Sequence, residues 1–288
     1  MVKVFISFVI VTYKSHDLII EAIRSINENE KQSVNYEIII VDNSNDTDHK
    51  KLLDILEKEN YRQYIVEVIH NSANTGYGAG NNLGIKQAQG QIVAIMNPDV
   101  RLLEPLMNDV QSKFCQNTNL AMVGYKQLGG QNISFYRKPQ YSFLFSGSYI
   151  KLKNRKGNFS PRKDFLSGAF LFIDKAKFEE IGLFDQNIFL YHEESDISNR
   201  FNSKGYDIVY DPTKSYIHLL DERPFNLNAY KIEFESLRYY TTKFNLDFSA
   251  IRNLYIKESK IKLKLAKLMG KKAAIDKFKS ILSFLIEQ

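Results

Sequence analysis

The spacing of apolar residues alternates between two periods over the first hundred positions. Continuous β-branched runs occur at 4–13, VFISFVIVTY, and at 37–44, EIIIVDNS. Such runs are typical of strands that are buried on both faces of a parallel sheet. Between them, Leu18, Ala22 and Ile26 follow a Ser/Asp cap at helical spacing. The pattern therefore predicts a strand, a helix and a second strand.

The same alternation continues as far as residue 97. Helical periodicity covers 49–60 and 80–90, and strand patterns cover 64–70 and 91–97. This progression predicts an α/β domain with a mixed, mostly parallel sheet flanked by helices. Ligands of such sheets bind beyond the carboxyl ends of the strands, so the polar residues at those ends are the candidates for function.

The pattern is weaker in the second half of the chain. Residues 128–164 are rich in Gly, Ser, Lys and aromatics without a sustained period, which predicts a long loop. A strand followed by a helix is predicted for 165–185, and short extended segments for 206–212 and 215–220. From Asn226 onward the pattern is helical.

The amino-terminal apolar run raises the alternative of a signal peptide. The run from Val4 to Val11 is short and leads into TYKSHD rather than a cleavage site, and a bilayer span needs about 20 residues. We therefore expect a buried first strand and no membrane-spanning segment.

The single cysteine, Cys115, excludes an internal disulfide and suits a reducing, cytoplasmic compartment. A buried position is expected for it.

The net charge of +6 is concentrated in the tail. Residues 251–288 contain ten Lys/Arg and three Asp/Glu, a local +7, which leaves about −1 for the rest. Two interpretations remain open: a helix pair packed on the domain, or a basic amphipathic surface resting on an anionic membrane. No recognition motif supports nucleic-acid binding. The apolar residues close to one helical stripe are Ile261, Leu265, Leu268, Ile275, Phe278, Leu282 and Leu285.

The most glycine-dense stretch is NTGYGAGNNLG at 74–84. A dinucleotide-binding loop would need a third glycine where the sequence has Leu83 or Asn81, so a Rossmann oxidoreductase is disfavoured. Two interpretations remain: a loop that approaches a phosphate or sugar at a helix N-terminus, or a simple turn.

Three polar residues at predicted strand ends have competing interpretations. Asp42 could accept hydrogen bonds from a nucleobase or ribose, or cap the next helix, which Asp46 or Asp48 could do equally well. Asp99 in MNPDV could anchor Mg²⁺ or Mn²⁺, or form a Pro-Asp turn. His218, flanked by apolar residues, could be a core residue or could complete a mixed oxygen and nitrogen metal site with Asp99.

Six segments in this order resemble glycosyltransferase family 2, in particular its rhamnosyltransferase-like branch. They are VTYKS, VDNSND, NTGYGAGNNLGIKQA, MNPDV, SGAFLFIDKAKFEEIGLFDQNIFLYHEESD and IHLL. The resemblance implies a GT-A fold and an inverting transfer of sugar from a nucleotide diphosphate donor to an acceptor hydroxyl. It divides the chain into a catalytic domain at 1–220 and a helical extension at 221–288. Within the domain, 1–100 would bind the nucleotide sugar and 101–220 the acceptor.

The resemblance also implies roles for individual residues. Asp99, in a variant of the DxD motif, and His218 would hold Mg²⁺ or Mn²⁺ near the donor diphosphate. The residues implied in substrate binding are Thr12 and Tyr13 in the nucleotide pocket, Asp42 and the adjacent Asn43 at the base or ribose, Gly76, Gly80, Asn81, Asn82 and Asn97 near the donor, Ser167 and Gly168 at the entry to the acceptor half, and Asp196 in a supporting position.

The acidic segment YHEESD matches the family's Y-x-E-D-V-D motif with one departure: Glu194 replaces the usual aspartate. The resemblance makes Glu194 the general base and Glu193 an acceptor-positioning residue. Helical spacing from Glu193 puts Asp196 four residues before Arg200, where an ion pair gives it a structural or supporting role. Ile197 would lie on the buried face of the helix.

The implied partners are a nucleotide-diphosphate sugar and a glycan or lipid-linked acceptor in surface polysaccharide biosynthesis, with the protein cytoplasmic or peripheral on the cytoplasmic membrane face. The resemblance favours L-rhamnose from a dTDP donor, with galactose, N-acetylhexosamine or furanose transfer from UDP-sugars as alternatives. A non-catalytic sugar-nucleotide or glycan-binding protein remains a further alternative. A nucleotidyltransferase is disfavoured because no basic glycine-rich triphosphate loop lies near the N-terminus.

Overall fold

The computed structural model describes residues 5–30, 35–59, 65–219 and 224–288. In chain order its elements are β1 (Ile6–Thr12), α1 (His16–Asn29), β2 (Tyr36–Asp42), α2 (Asp46–Lys58), β3 (Ile65–His70), α3 (Tyr77–Gln87), β4 (Ile92–Met96), β5 (Val100–Leu102), α4 (Met107–Gln116), β6 (Leu120–Leu128), β7 (Phe135–Arg137), α5 (Ser146–Arg155), β8 (Asp164–Leu166), β9 (Phe170–Asp174), α6 (Lys175–Glu180), α7 (Glu193–Ser203), β10 (Asp207–His218), α8 (Leu227–Lys243), α9 (Phe248–Leu268) and α10 (Lys272–Glu287). The predicted domain boundary at 220/221 and residues 1–4 of the amino-terminal run lie outside these ranges.

Eight strands form one sheet in the order β3-β2-β1-β4-β9-β6-β10-β5. β3, β2, β1 and β4 are mutually parallel, as are β6 and β10, whereas β9 is antiparallel to β4 and β6, and β5 is antiparallel to β10. The prediction of a mixed, mostly parallel sheet flanked by helices is confirmed.

The first strand is buried along its whole length, as predicted. Phe8 and Ile10 pack into one apolar cluster with residues of α1 and α2, while Val9 packs into another with Ile85 of α3. Side chains of a strand alternate between faces, so a strand covered on both faces needs apolar residues at every position. Burying each such side chain stabilises the fold by about 1.5–3 kcal/mol.

The prediction of a long loop at 128–164 is wrong. The segment contains β7 and α5, and β7 pairs with β8 at its end. Polar contacts organise it: Asn154 Oδ1 accepts a hydrogen bond from Ser134 N at 2.7 Å, and Asn154 Nδ2 donates to Phe135 O at 2.9 Å. Its buried apolar residues, Ile133, Phe135 and Ile150, belong to different short elements, so the segment shows no sustained hydrophobic period.

Other expectations need smaller corrections. The helix predicted at 80–90 begins three residues earlier, at Tyr77, and ends at Gln87. The two extended segments near 206–220 form one strand, β10, with an irregularity between Asp211 and Ser215. Cys115 is exposed rather than buried, because it lies in the last turn of α4.

The carboxyl-terminal part of the chain forms three helices, α8, α9 and α10. They bury a common apolar cluster that includes Phe234, Ile251 and Leu285. The apolar residues that were predicted to form one helical stripe fall into a buried set and an exposed set. Leu282 and Leu285 are buried, whereas Leu268 is 76% exposed, and Ile261 and Leu265 are also exposed. Among the helices of the described residues, none combines the length and apolar character needed to cross a membrane.

Candidate active site

A cavity of about 400 Å³ opens beyond the carboxyl end of β4. It brings together six of the residues predicted for the site, from four separate parts of the chain. The lining residues are Tyr77, Asn97, Tyr136, Phe165, Ser167, Gly168, Ala169, Leu190, Tyr191, His192, Glu193, Glu194, His218 and Glu233.

The turn that leads into α7 aims the acidic pair into this cavity. Tyr191 and His192 both adopt left-handed backbone conformations, with φ of 70° and 68°. Residues without a glycine's freedom rarely adopt this conformation, and such strain is concentrated at functional sites. Helix α7 begins at once after the turn, at Glu193.

Glu194 is packed against Gly168 on the opposite wall. Burial raises the pKa of the Glu194 carboxyl to about 6, while hydrogen bonds from the backbones of Glu194 and Gly168 limit the rise. With this pKa the side chain is mainly a carboxylate at neutral pH and can accept a proton.

Glu193 is only 4% exposed, and its Oε2 has no hydrogen-bond partner within the described part of the chain. Burial raises its pKa well above the usual value, and the charges of Glu194 and Asp196 raise it further. The two adjacent carboxyls thus share one cavity with raised pKa values, and the charge of Glu194 disfavours a second charge on Glu193. Two neighbouring carboxyls in such an environment are suited to different roles, one as a base and the other as a hydrogen-bonding partner of a bound sugar.

Asp196 points away from the cavity and is fully buried. The predicted ion pair is present, with Arg200 Nε 2.8 Å from Asp196 Oδ2. Lys243 of α8 provides a second cation, its Nζ lying 2.6 Å from Asp196 Oδ1. Two cations compensate one buried carboxylate, so this part of α7 is tied to its surroundings by charge.

Asp99 and His218 lie side by side although they are far apart in sequence. Antiparallel pairing of Val100 with His218 brings β5 and β10 together, and Leu219 N donates to Asp99 O at 2.9 Å. As a result His218 Nε2 lies 3.1 Å from Asp99 Oδ1.

The chemistry of this pair fits a hard divalent cation in part. One carboxylate oxygen and one imidazole nitrogen suit Mg²⁺ or Mn²⁺, which commonly complete their shells with substrate phosphate and water. Within the described ranges no group of three or more His, Cys, Asp or Glu residues could hold a metal. The protein thus offers a two-residue site that a diphosphate would have to complete.

Tyr77, which the sequence analysis did not identify as a site residue, connects Asn97 with Gly168 across the cavity. Its hydroxyl donates to Asn97 Oδ1 at 2.8 Å and lies 3.1 Å from Gly168 O. Burial raises its pKa well above the ordinary value, and the charges of Glu194 and Glu193 add to the rise, so the phenol stays neutral. Asn97 is thereby held in place by Tyr77.

Several other lining residues gave no usable sequence signal. Tyr136 lies in the segment that was predicted to be a loop, Phe165 is the first residue of the next predicted strand, and Glu233 belongs to α8. His192 occupies the variable position of the acidic motif; its ring nitrogens are buried without hydrogen-bond partners in the described residues, and burial lowers its pKa to about 4. Only the tertiary fold brings these residues to the cavity.

Asp42 ends β2 beside Thr12 of β1, with which it is in register. Its Oδ1 accepts a hydrogen bond from Ser44 N at 3.0 Å, and its Oδ2 lies 2.9 Å from His49 Nδ1. The capping alternative for Asp42 is excluded because Asn45 caps α2.

The other residues predicted at the nucleotide end also lie outside the lining of the Glu194 cavity. Thr12 Oγ1 is buried and has no hydrogen-bond partner within residues 5–30, 35–59, 65–219 and 224–288. Tyr13 is half exposed, and Asn43 is buried with its Nδ2 donating to Gly76 O at 3.3 Å. An unsatisfied hydroxyl beside an exposed ring is compatible with a ligand at this end of the crevice.

The two glycines predicted near the donor allow close packing. Gly76 has φ of +100°, and a Cβ there would lie 2.5 Å from Phe189 O. A Cβ at Gly80 would lie 3.1 Å from Val11 Cγ1. Glycine at 76 is thus required by conformation and by space, which brings the start of α3 against the loop that precedes the acidic turn.

The two asparagines that follow also hold this junction. Asn82 exchanges two hydrogen bonds with the backbone of Phe184, at 2.8 and 3.0 Å. Asn81 Nδ2 donates to Tyr77 O at 3.0 Å. Ser167, predicted at the acceptor side, lines the cavity and donates to Gln127 Oε1 at 3.1 Å.

Comparison with solved structures defines the fold. Mannosyltransferase PcManGT from Pyrobaculum calidifontis, solved with GDP-Man and Mn²⁺, superposes with a TM-score of 0.63 at 15% identity, covering 98% of this chain and 80% of that one. TarS from S. aureus superposes with a TM-score of 0.56 at 17% identity, covering 88% of this chain and 42% of that one. The chain has the GT-A glycosyltransferase fold, as expected from the sequence.

The sequence profile of glycosyl transferase family 2 matches residues 7–182, more than half of the chain. The protein belongs to this family. The hexosyltransferase Agl10 of low-salt glycan biosynthesis in Haloferax volcanii is 26% identical over 70% of this chain, and the chain spans 63% of Agl10. Rhamnosyltransferase WbbL of Escherichia coli K12 is 23% identical over 86% of this chain and 98% of WbbL. The predicted resemblance to the rhamnosyltransferase-like branch is confirmed.

Proposed function

We propose that the protein is an inverting glycosyltransferase that moves a sugar from a nucleotide diphosphate to a hydroxyl of a glycan or lipid-linked acceptor. The observation that carries this proposal is the pair of buried glutamates in one cavity, where Glu194 rests against Gly168 and burial raises its pKa to about 6. The site roles and the division into a catalytic domain at 1–220 and an extension at 221–288 are part of the proposal.

In the proposed reaction the acceptor hydroxyl gives its proton to a Glu194 carboxylate oxygen. The hydroxyl oxygen bonds to the anomeric carbon from the face opposite the diphosphate. The bond between that carbon and the diphosphate oxygen breaks, and the nucleoside diphosphate leaves. Proton removal by a positioned carboxylate contributes about 10²–10⁴-fold to such a step.

Asp99 and His218 are the residues that would hold Mg²⁺ or Mn²⁺. When bound, the cation would supply positive charge that stabilises the departing diphosphate. Tyr77 keeps Asn97 turned toward the same end of the cavity. PcManGT and GalNAc-T7, which share the fold, were both solved with Mn²⁺, and this supports the expectation of a divalent cation.

We propose L-rhamnose from a dTDP donor as the transferred sugar, supported by the similarity to WbbL over most of both chains. The alternative is a UDP-sugar. A thermal-shift screen of dTDP-, UDP- and GDP-sugars, each with and without Mn²⁺, separates these cases because a ligand that binds the native state raises its apparent stability. A shift with UDP-sugars and none with dTDP-rhamnose would reject the rhamnosyl assignment.

The test of catalysis uses Glu194→Gln. We expect donor hydrolysis and transfer to fall about 10²–10⁴-fold, with donor binding retained. The control Glu57→Gln, on an exposed position of α2, should keep full activity. Full activity in Glu194→Gln would reject the base assignment. Donor or glycan binding without turnover in the unmodified protein would instead support the non-catalytic alternative.

We further propose that α9 rests on an anionic membrane surface, on the cytoplasmic face, where a lipid-linked acceptor would be reached. Ile261, Leu265, Leu268 and Met269 form an exposed stripe on one face of its carboxyl-terminal half. Exposed lysines flank the stripe at positions 260, 264, 267 and 271. Such a face combines apolar insertion with attraction to anionic lipid.

The membrane proposal is tested by sedimentation with vesicles of phosphatidylcholine and phosphatidylserine. The unmodified protein should bind these vesicles and bind pure phosphatidylcholine less. Leu265→Asp combined with Leu268→Asp should abolish binding while leaving the thermal midpoint unchanged, because both side chains are already exposed. Equal binding of the double variant would reject the proposal.

A further inference from the structure

A second cavity of about 500 Å³ lies beside the first and shares Tyr191 and Glu233 with it. Its walls come from residues 142–147 and from α8, α9 and α10, and we name it the α8–α10 groove. The three helices lie beyond residues 7–182, the segment that the family profile matches. The groove therefore extends the catalytic cavity with residues that lie outside the segment matched by the family profile.

Aromatic rings form much of the groove. Phe225 is 37% exposed, and Tyr230, Tyr255 and Phe278 also line it. The Lys277 ammonium lies 5.2 Å from the centre of the Phe225 ring. Large, rigid aromatic faces next to polar groups offer both apolar contact and hydrogen bonds, which a sugar ring can use at the same time.

The charges of the groove cancel. Two carboxylates, Glu233 and Glu258, face two ammonium groups, Lys262 and Lys277. Glu258 pairs with Lys262, and its other oxygen accepts a hydrogen bond from Phe145 N at 3.1 Å. An anion-binding site would need an excess of cations or backbone N–H groups. The balance instead suits an uncharged polar ligand.

We propose that the α8–α10 groove binds the sugar residues of the acceptor glycan that lie beyond the reacting hydroxyl. This inference rests on the proposed transferase function. The shared Glu233 places one end of the groove at the cavity of Glu194, so a chain of two or more sugars would run from the general base along α8. A monosaccharide would occupy the catalytic cavity alone.

The chain contains no tryptophan, so Phe225→Trp introduces a single reporter into the groove. Its emission is titrated with maltotetraose, cellotetraose, chitotetraose and mannotetraose, with the corresponding monosaccharides, and with sodium pyrophosphate. We expect a saturable emission change with at least one tetrasaccharide and none with monosaccharide or pyrophosphate. If none of the four tetrasaccharides changes the tryptophan emission, the proposal is overturned. An emission change with pyrophosphate alone would identify the groove as an anion-binding site instead.

In the Phe225→Trp background, Glu233→Ala should raise the tetrasaccharide Kd about tenfold, as expected for loss of a charged hydrogen-bond acceptor. Glu235→Ala, an exposed residue of the same helix outside both cavities, is the matched control and should leave Kd unchanged. Equal Kd values for the Glu233 and Glu235 variants overturn the proposed orientation of the glycan.

Nucleotide-sugar hydrolysis by the unmodified protein is measured in parallel. Its absence counts against the transferase function, whereas the fluorescence titration reports on ligand binding in the groove and needs no turnover.

Discussion

The carboxylate of Glu194 occupies the space in which a side chain at position 168 would begin. A Cβ built on Gly168 would lie 2.8 Å from Glu194 Cδ and would overlap the carboxylate oxygen. Gly168 is thus the wall against which the proposed base rests. The contact joins the segment between β8 and β9 to the first turn of α7, which together line the proposed acceptor side of the cavity.

The variant Gly168→Ala should displace the Glu194 side chain and lower kcat/KM about 100-fold, the loss typical of a catalytic group moved by about 1 Å. Donor binding, measured by thermal shift, should remain because the clash is confined to the acceptor side.

The double variant Gly168→Ala with Glu194→Asp tests the same contact in reverse. The shorter side chain removes the overlap, so the double variant should be more active than Gly168→Ala alone. A double variant no better than the single one would show that the overlap is not the cause of the loss.

The pKa of Glu194, raised by burial to about 6, predicts an acid limb in the pH dependence of transfer. Below this pKa the base is protonated, so kcat/KM should fall about tenfold for each pH unit. The measurement is the initial rate of transfer between pH 4.5 and 8.5. A flat profile across pH 6 would argue against Glu194 as the base.

The raised pKa of Glu194 also makes the free energy of unfolding depend on pH, and this dependence is opposite to that of activity: low pH favours the folded state. The folded pKa lies above the ordinary value of 4.5, so the protonated carboxyl favours the folded state below pH 4.5, and this contribution is lost as pH rises through about 6. Glu194→Gln should therefore raise the free energy of unfolding at pH 7.5 by about 1–2 kcal/mol. Urea denaturation at pH 7.5 checks this, and the gain should be smaller at pH 4.5.

Lys243 connects the acidic helix with the carboxyl-terminal helices. Its Nζ lies 2.6 Å from Asp196 Oδ1 and 2.6 Å from Asp185 Oδ2. Lys243→Met should lower the free energy of unfolding by about 2 kcal/mol, because it removes one of the two cations of the buried Asp196 carboxylate and the cation of Asp185. Transfer activity should fall as well, since α7 carries Glu194. Lys50→Met, at an exposed position of α2, should change neither value.

The strands and the acidic helix could be predicted from local sequence, whereas much of the cavity could not. β1 and β2 are buried on both faces, so their apolar runs are continuous and recognisable. Helix α7 begins at Glu193 with Ile197 buried, as its spacing predicted.

The parts that escaped prediction are those that depend on tertiary contacts. Tyr77 stands among glycines whose spacing shows only a loop, and its role follows from hydrogen bonds to Asn97 and Gly168. Glu233 reaches the cavity because α8 packs beside α7. The two helices are joined by a hydrogen bond of 2.9 Å from the Ser195 hydroxyl of α7 to the Tyr240 hydroxyl of α8. No periodicity within one segment contains such information.

The last prediction concerns the two-residue cation site. If Asp99 and His218 hold Mn²⁺ together with the donor diphosphate, UDP or dTDP should stabilise the protein more in the presence of Mn²⁺ than with EDTA. At a ligand concentration of 100 times Kd the gain is about 2.7 kcal/mol. His218→Ala and Asp99→Asn should each remove the Mn²⁺-dependent part of the shift. His16→Ala, in the first turn of α1, is the matched control and should keep it. A nucleotide shift of equal size with Mn²⁺ and with EDTA, together with transfer that survives EDTA, would reject Asp99 and His218 as ligands of a required cation.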